Sequence, residues 1–208
     1  MSTNRWFTID KGTPERRQQV REFLPHLDRV DNQVADLIVA AWTTVWSSSV
    51  YADIAEAPYT LLAPEYRLVD HVREVCDIGV MLAEYRSREW SDTSDPNVLV
   101  AALLLHDLDK PLLYVPQSLE KTGSAWGQSR AAEEVPHGVL GGMITRELGL
   151  DDRVTALVTT HAANAPFHSA TDEGWLLHYA DFISCDHALA KYGEPGVKPF
   201  YQKHWTDV

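Results

Sequence analysis

Apolar and polar positions along the chain recur with helical rather than strand periods. Leu68, His71, Val72, Val75, Ile78 and Leu82 follow one another at spacings of three and four. That is one face of a helix, predicted here from Pro64 to about Arg88. A similar pattern, with Leu37, Val39, Ala40, Trp42, Val45 and Trp46 as its apolar content, predicts a helix from about Asp31 toward Glu56, interrupted near Ser47-Ser48-Ser49 and stopped at Ala57-Pro58. Ahead of it, Thr13-Pro14 opens a short helix through about Leu24, broken by Pro25. The most informative stretch is Pro96 to Lys110, PNVLVAALLLHDLDK. Asp95 offers a carboxylate cap and Pro96 suits the first helical position. Every residue from Val98 to Leu105 is apolar, and a helix apolar all round is a buried helix. It ends in His106-Asp107, two polar side chains that need partners when buried.

The remainder continues the helical reading. Lys110 to Glu134 has little periodicity and predicts a long loop of the functional kind. A helix near Val135 to Leu148 is ended by Gly149, and Asp151 or Asp152 caps another through about Ala162. Ala165-Pro166 breaks the chain, and Thr171 with Glu173 begins a last long helix to about Lys191. Tyr192 to Val208, with two prolines and two glycines, reads as an irregular tail. With no internal repeat and almost no alternation of period two, the fold class is all-α. The 208 residues fit one compact domain.

Charge and cysteine usage narrow the partners. The net charge is −12, and no run is rich in Lys or Arg. This argues against a nucleic-acid polymer or an anionic membrane as partner. A small anionic substrate stays open, because a metal and a few local cations reverse the field inside a pocket. Two cysteines, Cys76 and Cys185, read as free thiols in a reducing cytoplasm. The first twelve residues lack a signal core, and no apolar run approaches the roughly 20 residues of a membrane span, so the expected location is cytoplasmic. The residues are silent on oligomeric state.

Six polar side chains occupy positions where the periodicity calls for apolar ones. His71 lies on the apolar face of its helix, and His106-Asp107 ends the central one. His137 begins the helix carrying Gly138, Gly141 and Gly142, small residues that admit close backbone approach. His161 ends the next helix, and Asp181 lies inside the last, in LLHYADFIS. One buried histidine alone is usually just hydrogen-bonded in the core. Six such groups together favour a metal centre, and imidazole with carboxylate suits iron, manganese, zinc, nickel or cobalt rather than a Cys-rich structural zinc.

The ordered set His…His-Asp…His…His…Asp, with HDLDK as its centre, resembles the HD-domain superfamily of metal-dependent hydrolases. The resemblance runs from roughly Tyr66 to Leu189. It divides the chain into an N-terminal helical segment of unassigned role (1–63), a metal-binding core (64–192) and the tail (193–208), together one HD-like domain. The resemblance implies that His71, His106, Asp107 and Asp181 bind one divalent metal, and that Asp107 bridges to a second held by His137 and His161. Iron or manganese is the first expectation. It further implies a phosphohydrolase acting on a small phosphate ester such as a nucleotide, with Lys110 meeting a substrate phosphate and Arg130 a weaker anion-binding candidate. The same six ligands also serve a branch of mixed-valent diiron oxygenases that cleave carbon–carbon or carbon–phosphorus bonds. A non-catalytic, metal-holding sensor or binding domain is a third reading. Cyclic-dinucleotide hydrolases of the superfamily carry a Gly-Tyr-Pro signature that is absent here. Asp109 stands where many relatives have a small or apolar residue, a departure expected to alter the pocket mouth. His178, one turn before Asp181, is placed to orient it, whereas His26, His168, His187 and His204 have no position in the pattern. Trp42, Trp46 and Tyr59 read as core aromatics or as pocket walls from the unmatched segment.

Overall fold

The computed structural model describes residues 6–91, 94–163, 165 and 167–195. Most of the expected tail, with His204, and Pro166 of the predicted break lie outside the described residues. Among the described residues the chain is all-α apart from one two-stranded hairpin. Helix α1 (Pro14–Phe23) is capped by Thr13, whose side chain accepts from the Arg16 amide. Helix α2 (Asn32–Ser48) is followed by a 3-10 turn at Ile54–Glu56. Its end falls in the serine run. There Ser47 and Ser49 turn their hydroxyls back onto the carbonyls of Thr44 and Trp46, a local bonding that competes with helix propagation.

Helix α3 (Leu68–Trp90) starts four residues after the predicted Pro64. The reason is local: Pro58 and Arg67 form an antiparallel bridge, with Tyr59 N donating to Tyr66 O and Leu68 N to Ala57 O. These bonds close a loop of bends and turns that delays the helix until Leu68. Helix α4 (Pro96–Leu105) follows, capped by Asp95 as predicted. It touches α2, α3, α9 and α10, and all of Val98 to Leu105 is buried. Burying one Leu side chain stabilises by about 1.5–3 kcal/mol, so the other helices have ample reason to pack round this rod. Close approach is built in at Gly79 of α3, where a Cβ would stand 2.5 Å from Leu103 Cδ2.

The predicted loop from Lys110 to Glu134 is more ordered than expected. Short helix α5 (Lys110–Leu113) leads into strand β1 (Tyr114–Pro116). After α6 (Leu119–Thr122), strand β2 (Trp126–Gln128) returns antiparallel with Tyr114 opposite Gln128. Tyr51 fastens the hairpin to the body, donating its hydroxyl to Tyr114 O at 2.7 Å and stacking on Trp126. Three-residue strands are too short for an alternating pattern to stand out in sequence. Then come α7 (Arg130–Glu134), α8 (Val139–Leu148), α9 (Asp152–Thr160, capped by Asp151) and α10 (Asp172–Lys191, capped by Thr171). Helix α8 starts later than predicted, so His137 precedes it rather than beginning it.

Candidate metal centre

Two of the six polar side chains arise from one local device used twice. His106 is the C-cap of α4 and His161 the C-cap of α9. The last carbonyls of a helix have no partner within it. Each histidine satisfies one of them, His106 donating Nδ1–H to Leu103 O at 2.9 Å and His161 to Val158 O at 2.8 Å. A carbonyl only accepts, so both rings carry their proton on Nδ1 and turn the Nε2 lone pair inward. Trp42 does the same service for the neighbouring Leu104 carbonyl, which makes it a core residue rather than a pocket wall.

His71, in the first turns of α3, reaches the same tautomer by another route. Its Nδ1 lies 2.9 Å from Ser184 Oγ, and that hydroxyl donates its own proton to Glu74 Oε2 at 2.7 Å. Glu74 is held further by the Tyr66 hydroxyl at 2.6 Å and by His187 Nδ1 at 2.7 Å, a chain running from the surface to the buried imidazole. His187, without a position in the sequence pattern, is therefore its outer end. Tyr59, from the segment ahead of α3, stacks on His71 at 3.7 Å between ring centroids.

His137 depends on Asp109. Its Nδ1 is 2.8 Å from Asp109 Oδ1, and the other carboxylate oxygen accepts from Gly138 N at 2.8 Å and Gly141 N at 3.4 Å. Asp109 is fully buried, so it is not at a pocket mouth, as its departure from the common motif led one to expect. It clamps the turn before α8 and aims a ring. The glycines do what their size predicts. Gly138 has φ +89°, and a Cβ there would meet Val158 O at 2.8 Å, the carbonyl that orients His161.

All four Nε2 atoms converge on Asp107. Its Oδ1 lies 2.9 Å from His137 Nε2 and 3.3 Å from His161 Nε2, while its Oδ2 lies 3.2 Å from His71 Nε2 and 3.4 Å from His106 Nε2. Asp181 Oδ1 joins the second pair, 3.2 Å from His71 and 3.7 Å from His106. Thus each oxygen of one carboxylate faces its own pair of imidazoles, as in a bridging ligand. Among the described residues, His71–His106–Asp107 and Asp107–His137–His161 are the groups close enough to hold a metal ion.

The chemistry of this donor set fits a cation. His71 Nε2 and His106 Nε2 stand 3.1 Å apart with lone pairs facing, which repel unless a positive species lies between them. Asp107 Oδ2 is buried and accepts no hydrogen bond. Lys110 Nζ lies 2.6 Å from it, an ion pair without hydrogen-bond geometry. Burial would raise the Asp107 carboxyl, but Lys110 and His106 outweigh it and hold the group well below the usual range. Burial likewise opposes ionisation of Asp181, yet His71 and His106 keep it ionised. For His137, burial works against protonation, and Asp109 and Asp107 overcome it, holding the metal-free imidazole at about 9. His161 is lowered, by burial first.

Lys110 opens α5 rather than ending the central helix. It is buried, its ammonium 3.7 Å over the Tyr59 ring, and burial is outweighed by Asp107 so that it stays charged. Arg130 is not brought to this cluster. Its side chain is 77 % exposed on α7 and pairs with Glu134 one turn on, at 2.7 Å. His178 packs on Phe182 and faces His168, lining a cavity beside His161. Ser184, Glu74 and the role of Asp109 are absent from the sequence reading. The available signal was a buried-helix register for Ser184 and, for Asp109, a carboxylate two residues after a ligand.

Comparison with known proteins agrees with the geometry. A family model described as HD domain matches residues 68–184, more than half of the chain. No curated protein and no solved structure matches significantly. No helix among the described residues is long and apolar enough to cross a membrane.

Proposed function

The chain belongs to the HD-domain family, and on that premise we propose that it is a phosphohydrolase, dependent on two divalent metal ions, that acts on a small phosphate ester such as a nucleotide. The observation that carries this reading is the convergence of four Nε2 lone pairs and two carboxylates, each imidazole locked by its own Nδ1–H partner. In this reading His71, His106, Asp107 and Asp181 hold one cation, and Asp107, His137 and His161 the other. Iron or manganese suits these ligands first, with zinc, nickel and cobalt as alternatives. Such a pair, when bound, supplies a water activated at neutral pH and neutralises charge developing on the phosphoryl oxygens.

The chain's own residues provide the rest. Asp107, ionised and buried, keeps the two halves in register. Ser184, Asp109 and the carbonyls of Leu103 and Val158 hold the rings in one tautomer and orientation, the usual service of outer partners to metal-binding histidines. Lys110 keeps a fixed positive charge beside the bridging oxygen, where it attracts a phosphoryl oxygen as a point charge. Arg130 has no part in this reading.

The test is release of inorganic phosphate from a panel of nucleotides, aryl phosphates and sugar phosphates. The protein is loaded with iron or manganese under anaerobic conditions, with Asp107→Ala as control. Release by the wild type that falls about 10³-fold in the variant supports hydrolysis. No release from protein shown to contain two metal ions overturns it, and consumption of oxygen by the diiron form would then favour the oxygenase chemistry of the same ligand set.

A further inference from the structure

Nε2 of His161 looks toward Asp107 at 3.3 Å, and the same residue lines a cavity of about 270 Å³ between the end of α9 and the first turns of α10. Leu157, Leu177 and Trp175 supply the apolar walls, and the imidazoles of His168 and His178, which meet edge to face with centroids 6.0 Å apart, line it as well. Among the described residues the lining contains no lysine, arginine, aspartate or glutamate. A phosphate group would meet no fixed positive charge there, whereas Lys110 supplies one beside Asp107, the carboxylate that His161 Nε2 faces.

The hydroxyls of the lining and Nδ1 of His161 are engaged within the protein. Thr160 Oγ1 donates to Ala156 O at 2.8 Å, and His161 Nδ1 donates to Val158 O. Ser169 Oγ is engaged with Thr171 Oγ1 at 3.1 Å and accepts from the Thr171 amide. A hydroxyl-rich group entering this space would give up water and find only the imidazoles of His168 and His178 and the Trp175 indole as replacements, which costs affinity for each group left unpaired. A flat apolar ring would meet Leu, Trp and imidazole surfaces, the contacts that aromatic groups prefer. The volume lies just under the roughly 300 Å³ at which pockets for drug-sized ligands begin, which suits one ring system.

We propose that this cavity is the subsite for the alcohol portion of the substrate, and that the substrate is a phosphate monoester of a flat, largely apolar, aromatic alcohol. The proposal rests on the phosphohydrolase reading above. Hydrolysis of such an ester breaks one phosphorus–oxygen bond and consumes one water. Inorganic phosphate departs from the Asp107 side, and the alcohol, with its proton restored, departs from the cavity.

The experiment has two arms on the full chain. The first compares kcat/KM for 2-naphthyl phosphate and glucose 6-phosphate with the metal-loaded protein. The second measures binding of 2-naphthol by calorimetry, without turnover. Two variants accompany both arms: Ala170→Trp fills the cavity from its exposed rim, and Trp175→Ala removes a wall from a half-exposed position. The expected result is a preference for the naphthyl ester of about 100-fold. Naphthol binding should weaken about tenfold in each variant, with bound metal unchanged. Naphthol binding that both variants weaken, with no phosphate released from any ester, supports the aromatic subsite and removes the hydrolase reading beneath it. Equal kcat/KM for the two esters, with no naphthol bound, overturns the subsite and leaves hydrolysis standing.

Discussion

His71 and His106 hang from α3 and α4 and are fully shielded, whereas His137 stands on a turn ahead of α8 with 23 % of its side chain exposed. The two halves of the Asp107 cluster are thus held by different means. On the α3–α4–α10 side, the ring positions follow from the packing of three helices, and the proton partners are Ser184 and a helix-end carbonyl. On the α8–α9 side, one ring follows from a helix end, but the other follows from a single carboxylate, Asp109, and a glycine with positive φ. The first side is as firm as the core. The second is as firm as one hydrogen-bonded turn.

The strongest test of this contrast acts on the carboxylate that the two sides share. Asp107→Ala removes one oxygen from each side, so the protein should lose both metals as well as about 10³-fold in turnover, measured by elemental analysis and phosphate release. If one equivalent of metal stays bound with unchanged affinity, the two sides do not share this carboxylate.

Asp109→Asn comes next and separates the sides. Its amide nitrogen would oppose either His137 Nδ1–H or the Gly138 N–H, leaving one donor unanswered. Metal affinity on the α8–α9 side should fall about 10–100-fold, the usual cost of losing an outer partner, and titration should show one tight and one weakened site. Two equally weakened sites would erase the distinction drawn here. Ser184→Ala makes the reciprocal change, weakening the His71 side.

Much of the first side was legible in the sequence, and the reason is physical. A run apolar from Val98 to Leu105 can only be buried, and His71 falls into its helix face at spacings of three and four, so both rings are placed by periodicity alone. The second side was legible as residue types but not as geometry. The turn holding His137 depends on hydrogen bonds spanning 28 residues to Asp109, and no local pattern encodes them. Asp109, read as a change at the pocket mouth, is interior for that reason. The carbonyls of Leu103 and Val158 have no side-chain signature at all. The hairpin at Tyr114–Pro116 and Trp126–Gln128 escaped notice because its anchor, Tyr51, lies far away in sequence. Lys110 and Arg130 show the same limit from the other side: two cations offered by the sequence, Arg130 as the weaker candidate, of which one is buried against Asp107 and the other spent on Glu134.

Gly138→Ala should act on the second side without touching a ligand. A side chain there is strained by φ +89° and pressed against Val158 O at 2.8 Å. A cost of about 1 kcal/mol or more follows, which for a chain of this size lowers Tm by about 2–4 °C. The same displacement moves the carbonyl that orients His161, so affinity for the second metal should drop while the first is kept. A variant that loses Tm but keeps both affinities would show that Gly138 serves folding alone.

The smallest effect concerns the outer support of His71. Burial raises the Glu74 carboxyl, but hydrogen bonds from Tyr66, Ser184 and His187 outweigh it and hold it below its ordinary value. A group whose folded pKa is depressed contributes stability that is fully present above its unfolded pKa. That contribution is lost as pH falls through the lower, folded value. The wild type should therefore shed a small part of its stability on acidification from about pH 5 to about pH 3, a change of about 2 °C or less in Tm from this group. Glu74→Gln, which cannot ionise, should start lower and lose less over the same interval. Parallel decline of the two proteins would mean that the chain from His187 to His71 is held by packing. The firm side would then need no charged support.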